Sequence, residues 1–219
     1  MKICCISDTH GKHRQLDLSK YPADVLIHAG DWTAGRDLGL SETKDFLEWL
    51  SKQPHNEKLL IAGNHEIQIE ADIEKFLQLI ARYPNTTYLQ DNEITIDNIK
   101  FYGSPYSNEF CNWAFMEEDD KLEKIWSYIP NDTNILITHG PAYMTNDKVA
   151  HAYNRDPHVG SKSLQNRKLE LQNLKLHISG HIHEAYGIEH TPACINICPS
   201  VVNERYQLVN EPIVIEIKD

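Results

Sequence analysis

No stretch of the sequence approaches the roughly 20 consecutive apolar residues that a membrane-spanning helix needs, so no span is expected. The opening residues, Met1-Lys-Ile-Cys-Cys-Ile-Ser-Asp8, are too short for a secretory signal and read as a first strand. Cysteine is scarce and odd in number, five in 219 residues. Cys4 and Cys5 are neighbours that a strand would point to opposite faces. Cys194 and Cys198 have no companion Cys/His pair to complete a zinc site. Nothing here suggests a disulfide framework, and a reducing cytoplasm is the expected compartment. Basic residues are outnumbered by acidic ones, 21 against 32, for a net charge of −11. That balance disfavours long nucleic acid and anionic membranes as partners. Repeats, low-complexity tracts and linkers are also absent, so one domain over 1–219 is expected. With 41% apolar and 24% charged residues the chain has an ordinary globular composition, and it is long enough to bury a sizeable core.

Apolar runs and their punctuation set the elements. Lys2–Ser7, Val25–His28 and Lys58–Ala62 read as strands. Between them lies a helix at 41–50, with Ser41 as its cap and Phe46, Leu47 and Leu50 on one face. A second helix carries Ile73, Phe76, Leu77 and Ile80 behind a capping Asp72, and Pro84 closes it. Short strands follow at 86–89, 94–96 and 100–102, the last two joined by an Asp97-Asn98 turn. Residues 104–116 form an aromatic loop. Leu122, Ile125, Trp126 and Ile129 mark a helix that Pro130 ends. A strand at 134–138 leads into a polar stretch at 142–162, long enough to be functional. A helix at 163–174 and strands at 175–179, 186–189, 194–197 and 212–217 complete the chain. Alternating strands and helices imply α/β layers, and the late strands imply a second, mixed sheet packed on the first with helices outside.

Five of these strands are followed at once by potential metal ligands. They are Asp8 and His10, Asp31, Asn64, His139, and then His181 and His183. In open α/β sheets ligands gather beyond the carboxyl ends of strands, so seven dispersed side chains could converge. Three oxygen donors and four imidazoles suit Mn²⁺, Fe or Zn²⁺ better than Ca²⁺. Any one of the histidines could instead be a buried core residue. Together, seven ligands are too many for one ion and divide evenly between two if Asp31 bridges.

The ordered set Asp8-Thr-His10, Gly30-Asp31, Gly63-Asn64-His65-Glu66, Thr138-His139-Gly140 and Gly180-His181-Ile-His183 resembles the calcineurin-like metallophosphoesterase superfamily. Ser7-Asp-Thr-His-Gly11, Gly30-Asp-Trp-Thr33, Phe110-Cys-Asn-Trp-Ala-Phe115, Gly180-His-Ile-His-Glu-Ala-Tyr-Gly187 and Asn210-Glu-Pro-Ile213 are similar to its small metallophosphoesterase-domain-containing branch. The resemblance implies a four-layer α/β/β/α sandwich of two mixed sheets, with a dinuclear metal site at the strand C-terminal ends. It implies that Asp8, His10 and His183 hold one ion, Asn64, His139 and His181 the other, and that Asp31 bridges. It leaves His65 beside the ions, binding neither. Two ions would lower the pKa of a shared water to supply hydroxide and would offset charge at phosphorus. His65 is then the candidate general acid for the departing alkoxide.

One residue departs from the phosphatase pattern. Protein phosphatases of this superfamily have an acidic residue three positions after the bridging Asp to orient the acid histidine; here that position is Ala34. The expected activity is hydrolysis of small phosphodiesters, cyclic nucleotides among them, with Mn²⁺ as the first choice of metal. The alternatives are a phosphomonoesterase using the same site, or a metal-binding interaction scaffold. Arg36 could bind a substrate oxyanion, Asn112 and Trp113 could meet a base, and His158 could touch substrate from the long loop. His28 and His177 lie on apolar strands and read as core. His13 reads equally as a phosphate contact or a solvated loop residue. Glu66 reads as a turn-fixing acceptor of backbone N–H groups.

Overall fold

The computed structural model describes residues 1–35, 39–150 and 156–217. Its first sheet joins β1 (Lys2–Ile6), β2 (Val25–Ala29), β3 (Glu57–Ile61) and β4 (Thr86–Tyr88) in parallel, in that spatial order. After β5 (Asn92–Ile96), β6 (Ile99–Ser104), β7 (Ser107–Asn108), β8 (Met116–Glu117), β9 (Ile135–Thr138), β10 (Leu176–Ser179), β11 (Gly187–His190) and β12 (Ile195–Cys198), the chain returns as β13 (Ile213–Glu216). β13 pairs antiparallel to β1, Cys5 opposite Ile213. The second sheet runs β11-β12-β10-β9-β6-β5, parallel at its centre, with β11 and β5 antiparallel at the edges.

The strands are short and apolar on both faces because both faces are covered. Ile3, Cys5, Val25 and Ile27 of the first sheet meet Phe101, Ile135, Ile137 and Ile178 of the second between the layers. The opposite side of β1 and β2, with Cys4, Ile6 and Leu26, packs under Phe46, Leu50 and Phe76 of helices α1 (Ser41–Ser51) and α3 (Ile73–Ile80), a short helix α2 (Ile67–Ala71) lying between these two in the chain. Tyr102 and Leu136 face outward beneath Leu122, Trp126 and Leu164 of α4 (Asp119–Trp126) and α5 (Lys162–Glu170). The result is the expected four-layer α/β/β/α sandwich. Cys4 and Cys5 do enter opposite layers, and all five cysteines are free. No helix among the described residues is long and apolar enough to cross a membrane.

Local expectations need correction, beginning with Ser41, which is the first residue of α1 and not its cap, Leu40 standing at that position. The helix expected at 163–174 is α5, capped by the Ser161 hydroxyl on the Leu164 amide and finished by Glu170. Leu171 leaves the helical region and Leu174 N–H turns back to the Leu171 carbonyl, so those leucines are core without being helical. The aromatic loop contains a short parallel ladder, β7 with β8, that pairing rather than periodicity creates. α2 has only five residues, too few for a periodic signal.

Candidate metal centre

β1, β2, β3, β9 and β10 all run in parallel within their sheets and deliver their polar clusters at one end of the sandwich. Asp8, His10, Asp31 and His181 have left-handed backbones, with φ of 53, 39, 61 and 70°. Such angles cost a non-glycine residue about 1–2 kcal/mol, and strain of this kind concentrates where function constrains the chain. Gly63 is required by close approach: a Cβ there would lie 2.3 Å from Asp31 Oδ1 and 2.6 Å from the His139 ring.

The side chains meet as expected. Asp31 Oδ2 is the hub, 3.4 Å from His139 Nε2 and 3.9 Å from both His10 Nε2 and His65 Nε2. On one side, His183 Nε2 lies 3.2 Å from His10 Nε2 and 3.6 Å from Asp8 Oδ1. On the other, Asn64 Oδ1 lies 2.9 Å from His139 Nε2, and His181 groups with Asp31 and His139. Among the described residues three groups of donor atoms could each hold an ion: Asp8–His10–His183, Asp31–His139–His181, and His10–Asp31–His65. Asp31 belongs to two of them.

The donor chemistry fits a cation. His10, His139 and His183 each donate Nδ1–H to a backbone carbonyl, of Thr33, Ala29 and Asn203 respectively. That fixes the tautomer and turns each Nε2 lone pair into the cluster, the usual arrangement of metal-ligating histidines. The Nε2 lone pairs of His10 and His183 then face each other at 3.2 Å, and that of His139 faces Asn64 Oδ1 at 2.9 Å, acceptor against acceptor. Without a metal a proton fills part of that role: burial opposes the charged form of His139, but Asp31 and Asp8 carry it up to about 9. Burial pushes His10 and His181 down to about 4, keeping them neutral.

Glu66 organises the hub. One oxygen accepts the amides of Asp31 and Gly63 at 2.9 and 2.7 Å; the other accepts the Thr33 amide and hydroxyl at 3.0 and 3.1 Å. Burial, then the nearby Asp31 charge, raises its pKa to about 7, against the pull of the Thr33 and Gly63 amides. Asp31 itself accepts the His65 amide on Oδ1 at 2.9 Å, leaving Oδ2 to the cluster.

A cleft of about 920 Å³ opens over the cluster, lined by His65, Trp113, Phe110, His158 and Tyr206. Trp113 lies at the cleft, but its ring stacks on His65, centroids 4.6 Å apart and planes 29° apart. His65 Nδ1 is buried without a hydrogen-bond partner among the described residues, as the absent carboxylate at Ala34 would lead one to expect. Asn112 is exposed and does not line the cleft, and Arg36 lies outside the described residues. His13 is neither a phosphate contact nor solvated: it is buried, bonded to Asp45 at 3.0 Å and edge-on to Phe46. His28 and His177 are core, held by Thr9 and Thr138 at 3.1 and 2.8 Å. Sequence reasoning missed Tyr206, whose ring edges onto His10 and His183 at 4.8 and 5.2 Å. A lone tyrosine in an irregular segment carries no pattern that could reveal it.

Fold and donor cluster together define a metallophosphoesterase. Residues 1–185 match the calcineurin-like phosphoesterase family, and the chain belongs to that family, whose members are metal-binding hydrolases of phosphate esters. It is 36% identical over 238 residues to human metallophosphoesterase domain-containing protein 1, covering 99% of this chain and 71% of that protein. Among solved structures it superposes on a dimetal phosphatase from Danio rerio, with TM-score 0.55, 12% identity, and coverage of 90% and 86% of the two chains. An archaeal phosphodiesterase gives TM-score 0.50 at 16% identity over 98% of this chain and 100% of that one. At these identities the structural likeness is one of fold.

Proposed function

We propose that the chain is a phosphoesterase working with two divalent ions, Mn²⁺ first among them, on small phosphodiesters. Asp8, His10 and His183 would hold one ion, Asn64, His139 and His181 the other, and Asp31 would bridge. The observation that carries this reading is the position of Asp31 Oδ2, 3.9 Å from His10 Nε2 of one proposed set and 3.4 Å from His139 Nε2 of the other. When bound, such a pair supplies a nucleophile at neutral pH and offsets the charge building on phosphoryl oxygens.

The chain's own groups do the rest. His65 is the proposed catalytic histidine. Its Nε2 stands beside Asp31 and opens on the cleft, where it can give a proton to the leaving oxygen. Trp113 covers one face of the His65 ring and so helps to hold it in place. Glu109, Asp156, Glu184 and Glu204 line the cleft, and no Lys or Arg does among the described residues. An acidic rim repels a dianionic monoester more than a monoanionic diester, which favours the diester reading over the phosphomonoesterase. Phe110 and Tyr206 offer aromatic surface to an organic arm, cyclic nucleotides included. The five free cysteines suit a reducing, cytoplasmic setting.

The test is a panel of aryl phosphodiesters, aryl phosphomonoesters and cyclic nucleotides, with Mn²⁺ and then with chelator. Diester hydrolysis that chelator abolishes is expected. His65→Ala should slow esters with poor leaving groups while keeping bound metal, and Asp31→Asn should lose metal. A wild-type protein that binds metal yet hydrolyses none of these esters would leave the scaffold reading in place.

A further inference from the structure

The polar loop after β9 contains a dyad that the proposed catalytic roles do not use. Asp147, 1% exposed at its side chain, accepts His158 Nδ1–H at 2.6 Å on one oxygen. Its other oxygen accepts the Met144 and Gly160 amides at 2.9 and 3.1 Å. Lys148 and His158 form a backbone bridge, and Asn108 Nδ2 donates to the Val159 carbonyl, tying this loop to β7. The Tyr143 ring meets the imidazole edge-on at 5.6 Å. The imidazole is therefore held at Nδ1 and packed against Tyr143, and it lines the same cleft as Asp31, Asn64 and His65. Because Nδ1 is committed to Asp147, Nε2 is the atom left for a ligand, and it bonds to none of the described residues. His65 is the converse, a cleft histidine whose Nδ1 has no partner among the described residues.

Resting on the phosphodiesterase reading, we propose that His158, clamped by Asp147, is a specificity residue that hydrogen-bonds a hydroxyl on one organic arm of the diester. A hydroxyl is the matching group because it both donates and accepts. It satisfies Nε2 whether the ring is neutral and offers a lone pair or is protonated and offers a hydrogen. The substrate class is thus a phosphodiester with a sugar-like or polyol-like arm. The cleft, at about 920 Å³, has room for such an arm beside Phe110 and Tyr206.

The test separates reading a ligand from stapling a loop. Asn places an amide near the Nδ1 position, so His158→Asn keeps the Asp147 bond and deletes the cleft-facing atom. Gln reaches the Nε2 position, so His158→Gln keeps the cleft-facing group. Two esters with the same leaving group are compared, p-nitrophenyl thymidine 5′-phosphate and p-nitrophenyl phenyl phosphate. Binding of thymidine 5′-monophosphate and phenyl phosphate is measured beside them by calorimetry. His158→Asn should raise KM for the thymidine ester, and weaken thymidine monophosphate, by about tenfold, roughly 1.4 kcal/mol. The phenyl compounds should stay within about twofold of wild type, and His158→Gln should recover part of the loss, as a hydrogen bond regained. An unchanged preference in His158→Asn, or an equal fall on both esters, overturns the proposal while leaving the phosphodiesterase reading intact. Failure of the wild-type protein to hydrolyse either ester overturns that reading, and this one with it.

Discussion

Replacing Glu66 by Gln exchanges one oxygen of a buried carboxylate for an amide nitrogen, at a position where the surrounding chain donates hydrogen bonds to both oxygens. Both carboxylate oxygens are acceptors, one for the amides of Asp31 and Gly63, the other for the amide and hydroxyl of Thr33. In Gln one of those oxygens becomes an NH₂ group that can only donate. Turned toward Asp31 and Gly63, it would face two N–H groups that cannot turn away. Turned toward Thr33, it faces one such amide, because the hydroxyl can rotate to accept. The second orientation is the cheaper and leaves one buried N–H without an acceptor, a loss of about 1–3 kcal/mol. For a chain of this size that lowers the melting temperature by roughly 2–12 °C. The assay is urea unfolding in chelator, monitored by tryptophan fluorescence, so that stability is separated from metal binding. In a subsequent metal titration weaker retention is expected, because the Thr33 amide is no longer held and the Thr33 carbonyl is what fixes the His10 ring. A Gln variant within about 0.5 kcal/mol of wild type, the range of an ordinary surface substitution, would refute the account of Glu66 as the organiser of the hub.

Gly63→Ala should abolish metal binding in a folded protein, since its Cβ would sit 2.3 Å from Asp31 Oδ1; calorimetric titration with Mn²⁺ reads this, and normal stoichiometry would contradict it. Trp113→Ala should lower kcat on a poor-leaving-group diester by about 2- to 10-fold, the worth of one ring stack, with Trp113→Phe retaining most of the rate. An activated aryl diester should be nearly indifferent to both. His28 gives a pH dependence: burial holds it down at about 3, against 6.5 when unfolded. The unfolded chain takes the proton first on acidification. Stability is therefore full above 6.5 and falls by about 1.4 kcal/mol per pH unit as pH drops toward the lower value. Unfolding of metal-free wild type and His28→Leu across that window should show the variant's slope smaller by one proton, and parallel slopes would count against the assignment.

How much was legible in the chain differs from residue to residue. Asp8-Thr-His10 or Gly63-Asn64-His65 is local, and each follows an apolar run whose end could be read from hydropathy alone. Glu66 was legible as a turn-fixing acceptor because an acidic side chain three residues after a glycine can reach back to its amide. It was not legible that the same carboxylate also holds Asp31 and Thr33, more than thirty residues away. Trp113 illustrates the converse. An exposed aromatic loop suggests a surface for a base, and only the fold could show that the ring rests on His65. Asp147 and His158 sat in a stretch without periodicity, where nothing marks one carboxylate as buried.

By itself the sequence determined the alternation of strands and helices, the family, and the set of polar residues at the strand ends. Those properties are periodic or contiguous, and short-range sterics and hydrophobic burial are enough to fix them. The tertiary structure alone decided which histidine nitrogen faces the cluster, which ring His65 leans on, and that Asp31 stands between two groups of donors. Those depend on contacts between segments that only the packing of two sheets brings together, and no pattern within one segment encodes them.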